Sequence, residues 1–145
     1  MQSILKRGTI KTPGGFSCFP DGDPLNQNVQ SVPPMENYFD VAMHGNPTQV
    51  GFGSQKVNMS ARTLADIIRH SEGYHGQNIR LLSCSTGKSV DGAYCFAEEL
   101  ANALGVEVMA PNDVLYVSRN GMFQIGDDGK GRFVPYSPNQ RRRIK

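Results

Sequence analysis

Residues 78–89 read NIRLLSCSTGKS. The left half, Ile79-Arg80-Leu81-Leu82-Ser83, is a short apolar run of strand length. The right half, Cys84 to Ser89, is small and polar and reads as a loop leaving that strand. Downstream, a helix is expected from about Asp91 to Leu104. Ala93, Phe96, Ala97, Leu100, Ala101 and Leu104 make its buried stripe, and Gly105 makes its C-cap. Val106 to Ala110 is a further strand, stopped by Pro111. Upstream, Ser60 caps a helix with Ala61, Leu64, Ala65, Ile67 and Ile68 on one face. That helix fades near Gly73. Before it, residues 50–53 and 56–59 make a small hairpin. Tyr38 to Met43 is another strand, ended by His44-Gly45-Asn46-Pro47. The order strand, helix, strand, helix, strand predicts an α/β fold with a mostly parallel sheet flanked by helices. VLYVS, MFQIG and RFVPY then add C-terminal antiparallel strands across the turns RNG and DDGKG.

Residues 1–37 are rich in Pro, Gly, Asn and Asp and read as an irregular leader, with one short strand around Phe16 to Phe19. Residues 38–145 are expected to form the single α/β domain with a basic C-terminal tail. The chain of 145 residues suits one such domain and needs no disulfide or metal to bury a core. The net charge is +2, but Arg141, Arg142, Arg143 and Lys145 carry four of the positive charges. Without them the balance is −2, so no nucleic-acid partner is expected. No apolar run approaches the length of a membrane span, and MQSILKRGTIK has no signal-peptide pattern. A soluble domain is expected, exported only as part of something larger. Three cysteines, Cys18, Cys84 and Cys95, are too few and too odd for a disulfide framework, and no His or Cys has metal-ligand spacing. No metal and no cofactor are expected.

The loop after Leu82 admits two chemistries. Gly87-Lys88-Ser89 matches the end of a phosphate-binding loop, but the first glycine of that motif falls on Leu82. A strand leucine does not curl around phosphates, and nucleotide binding is the minor reading. A thiol at a strand end is the stronger one. In parallel sheets, sites gather at the carboxyl ends of the strands. His44 ends one strand and Cys84 ends another, so adjacent strands would bring both to the same rim. Cysteine catalysis needs a thiolate, a nearby imidazole and donors for an oxyanion. Lys88 is a candidate to lower the thiol pKa. Asp40 is either an edge residue or an acid that orients His44.

DVAMHGN (40–46), IRLLSCSTG (79–87) and FAEELANALGVEV (96–108) resemble the caspase-like cysteine peptidases of clan CD. The resemblance spans about residues 38–118. It implies a caspase-like sheet and a Cys84–His44 dyad, with the Gly45 and Cys84 amides as the oxyanion hole. Ser83, Ser85, Asn46 and Asp113 would line the substrate. The phrase from Leu81 to Asp113 also resembles C-terminal domains of bacterial polymorphic toxins. That implies an effector delivered within a larger protein to a target-cell cytoplasm, with a protein or peptide substrate and a cognate immunity protein as partners. The contrasting expectation is a non-catalytic protein-binding domain of the same fold. Taken singly, a strand-end His is a turn residue and a strand-end Cys is an inert core residue; their coincidence at one rim favours chemistry.

Overall fold

The computed structural model describes residues 9–52, 57–89 and 94–138. Its centre is a six-stranded sheet. In spatial order this runs β1 (Ile10–Lys11), β2 (Gly15–Ser17), β3 (Tyr38–Ala42), β6 (Asn78–Leu82), β7 (Val108–Pro111) and β10 (Phe133–Tyr136). The four inner strands are parallel, and β1 and β10 close the two edges antiparallel. Two hairpins stand apart from the sheet: β4 (Val50–Phe52) with β5 (Val57–Met59), and β8 (Leu115–Val117) with β9 (Phe123–Ile125). The fold is therefore α/β, mostly parallel, with antiparallel additions.

Alternation along the strands sorts side chains onto two faces. Phe39, Val41, Ile79 and Leu81 point to one face, under α2 (Ala61–Arg69) and α3 (Phe96–Leu104). Burial of Leu64, Ala65, Ile67 and Ile68 on α2 follows the helical spacing of the sequence. Ser60 caps that helix by accepting from Thr63 N at 3.3 Å. Ala42 and Leu82 point to the other face, under Phe19, Val29, Val32 and the β8–β9 hairpin. The short helix α1 (Pro24–Asn28) lies on this second side, where Asn26 Oδ1 accepts from Ser17 Oγ at 2.9 Å. The strands lie in sequence order across the sheet, so crossovers on opposite faces have opposite hands. The two through α2 and α3 share one, and the shorter crossover through α1 takes the other.

Four expectations change. The stretch 9–37 is no irregular leader: it supplies β1, β2 and α1, with Phe16, Cys18 and Phe19 buried. Its turn residues space short elements rather than abolish them. Helix α3 begins at Phe96 because Cys95 is extended (φ −84°, ψ 170°) and its amide donates to Glu98 Oε1 at 2.9 Å. Asp91 and the basic tail from Arg141 lie outside the described residues. Pro111 closes β7 from within: as the last residue it accepts from Gly87 N at 2.8 Å, a role that needs no N–H of its own. Of the C-terminal strands only β10 extends the sheet, while β8 and β9 fold over its second face.

Candidate active site

Each inner strand sends a loop from its carboxyl end to one rim. After β2 comes Asp23, after β3 His44, after β6 Cys84, and after β7 Asp113 and Leu115. Because these strands are adjacent in sequence order, the loops lie side by side in the same order.

The contacts run along that row. His44 Nε2 meets Asp23 Oδ2 at 2.8 Å, and the His44 ring stands edge-on to Phe19 with centroids 4.9 Å apart. The imidazole is half exposed, while Asp23 is mostly covered. Gly45 lies directly against the Cys84 loop: a Cβ there would sit 2.8 Å from Thr86 Cγ2 and 3.3 Å from Cys84 O. Any side chain would push the two loops apart. Gly45 faces Val50 in an isolated antiparallel bridge whose hydrogen bonds belong to its neighbours, Gly51 N to His44 O at 2.9 Å and Asn46 N to Gln49 O at 3.0 Å. In such a pair the Gly45 amide points away from β4.

Cys84 is half-buried. Its Sγ accepts from Leu115 N at 3.4 Å and lies 3.8 Å from Leu115 O. Among the described residues no hydrogen bond joins it to His44. The next residue, Ser85, adopts a left-handed backbone (φ 57°), uncommon outside glycine, and its amide donates to Asp113 O at 3.1 Å. The hydroxyl of exposed Tyr116 donates to Asp127, which raises the phenol pKa.

The other expected site residues serve the loops themselves. Ser83 is buried and its hydroxyl bonds Thr86 Oγ1 at 2.9 Å. Asn46 Oδ1 accepts from Thr48 N at 2.8 Å and Gln49 N at 2.9 Å, closing the turn after His44. Asp113 Oδ1 accepts from the next amide, Val114 N, at 2.8 Å. Asp40 does not orient His44. It is buried on the second face, two-pronged against Arg80 at 2.7 and 2.8 Å. Asp40 sits in mid-strand, four residues and so about 13 Å before the rim that His44 reaches. The amides a phosphate cradle would turn toward a ligand are committed: Gly87 N to Pro111 O at 2.8 Å and Lys88 N to Ser85 O at 3.1 Å. Cys18 and Cys95 are buried, and burial pushes the Cys95 thiol pKa up.

Asp23 and Leu115 were missed in the sequence. Asp23 had one local signal, the pair Asp23-Pro24, which marks a helix N-cap followed by proline. An open groove of about 850 Å³ runs between α2 and α3, lined by Arg62, Asp66, Arg69 and Glu99, and includes neither His44 nor Cys84. Among the described residues no His, Cys, Asp and Glu cluster is placed to hold a metal ion, and no helix is long and apolar enough to cross a membrane.

The fold is thus an α/β sheet domain with a Cys, a His and an Asp on neighbouring strand-end loops. Residues 15–125 match the family described as Domain of unknown function (DUF8616), and the chain belongs to that family. No curated protein and no solved structure matches it.

Proposed function

We propose that this domain is a cysteine hydrolase of the caspase-like kind, acting on a protein or peptide as the effector end of a larger bacterial protein. One observation carries the reading. Strands β3 and β6 pair in parallel with Ala42 opposite Leu82, and His44 and Cys84 each stand two residues beyond that pair. Parallel register makes them neighbours across the rim. In the reaction His44 takes the Cys84 proton and Sγ attacks the substrate carbonyl carbon. The carbon–nitrogen bond breaks as His44 returns the proton to the departing amine, and water then hydrolyses the thioester. The Gly45 amide, turned away from β4, and the Cys84 amide stabilise the oxyanion.

The test is alkylation of Cys84 by iodoacetamide at neutral pH, read by peptide mass mapping. Cys18 and Cys95 are buried, so labelling reports Cys84. Rapid labelling that slows in His44→Ala is expected. Equal rates in both proteins would overturn the dyad. A second reading, a non-catalytic binding domain for a partner such as an immunity protein, is favoured by one contact: Sγ bonds the Leu115 backbone rather than His44. The same labelling result separates the two.

A further inference from the structure

We infer that Asp23 is the positioning residue for His44, and that the imidazole nitrogen facing the chemistry is Nδ1. The inference rests on the Cys84–His44 reading and adds a third residue, taken from a segment the sequence presented as a leader. Asp23 uses both carboxylate oxygens. Oδ1 accepts from Leu25 N at 2.9 Å and caps α1. Oδ2 meets His44 Nε2 at 2.8 Å. The cap holds the carboxylate in place, so it arrives at the ring already oriented. An ionised carboxylate only accepts, so the nitrogen it meets carries the hydrogen. The neutral ring is thereby held as the Nε2–H tautomer, with the Nδ1 lone pair as its base. Phe19, edge-on at 4.9 Å, fixes the plane of the ring. Among the described residues Nδ1 has no hydrogen-bond partner, which leaves it open to the thiol or to a departing amine. The thiol proton moves to Nδ1, and Asp23 stays a carboxylate beside the imidazolium.

Two readouts test this. The first is the His44 tautomer, measured by long-range proton–nitrogen NMR correlation in isotopically labelled protein at a pH where the ring is neutral. The second is Cys84 alkylation at neutral pH in wild type, His44→Ala and Asp23→Ser. Serine keeps the helix cap but cannot reach the ring, so the variant is expected to fold, and its thermal melt checks that. The Nε2–H form is expected in the wild type and a mixture of tautomers in Asp23→Ser. Alkylation should fall on the order of tenfold or more in Asp23→Ser, part of the roughly 10²–10⁴-fold that a positioned base contributes. An Nδ1–H tautomer in the wild type overturns the inference. So does labelling that needs His44 but is untouched by Asp23→Ser, while the dyad itself then stands. Labelling indifferent to His44 overturns the dyad, and the positioning role with it.

Discussion

Asp23 and His44 are 21 residues apart in the chain and meet at 2.8 Å, one from the loop after β2 and the other from the loop after β3. The contact ties the amino-terminal segment to the rim where Cys84 lies. It also gives Asp23 two tasks that substitution can separate. Asp23→Ala removes the α1 cap as well as the ring contact and is expected to cost about 1 kcal/mol of stability. Asp23→Ser should cost less because the cap survives. Urea midpoints of the two variants check this.

Gly45 is the point where the His44 and Cys84 loops touch. In Gly45→Ala the new methyl would meet fully buried Thr86 at 2.8 Å and the Ser83 Cβ at 3.2 Å. Overpacking of that kind costs about 1–3 kcal/mol. The expected outcome is a lower thermal midpoint together with a changed rate of Cys84 alkylation, since the loops must separate. An unchanged rate would mean that the thiol environment does not depend on this contact.

Asp40 and Arg80 face each other across β3 and β6 and are both buried. The guanidinium also donates to Pro33 O at 3.0 Å and stands 5.6 Å from the Phe123 ring centroid. Asp40→Ala should destabilise by about 3–5 kcal/mol, because it strands a buried charge. The double variant Asp40→Leu/Arg80→Met should lose much less. A double-mutant cycle in denaturant measures the difference.

Tyr38 and Tyr136 are expected to make the fold less stable at high pH. Burial first, then the hydrogen bond to Glu107, pushes the Tyr38 pKa from 10.0 to about 12. Burial first, then Cys95, pushes that of Tyr136 to about 12 as well, and its hydroxyl donates to Gly87 O at 2.8 Å. Both pKa values are higher in the fold than in the unfolded chain. Their contribution is therefore complete below pH 10.0 and is lost as pH rises toward about 12. Stability measured by denaturant across that window should fall. Tyr38→Phe and Tyr136→Phe should each flatten the decline.

Much of the parallel sheet was legible in the chain. Ile79 to Leu82 and Tyr38 to Met43 announce buried strands by short apolar runs, and Leu64, Ile67 and Ile68 announce a helix by spacing. These are local patterns, and local patterns record which side each residue turns to the core. His44 and Cys84 were legible as strand ends for the same reason. Other features depended on contacts between distant segments. The stretch 9–37 looked irregular because β2 is three residues long, and β-pairing with β3 holds it where its own composition does not. Asp40 was a candidate to orient His44, but it lies in mid-strand opposite Arg80, too far from the rim, and pairs with that guanidinium instead. Asp23 fell in the stretch read as irregular, and it is the structure that makes it both a helix cap and a partner of His44. The sheet order that sets β2 beside β3 carries its second oxygen to the imidazole, and no spacing along the chain encodes an approach made across strands.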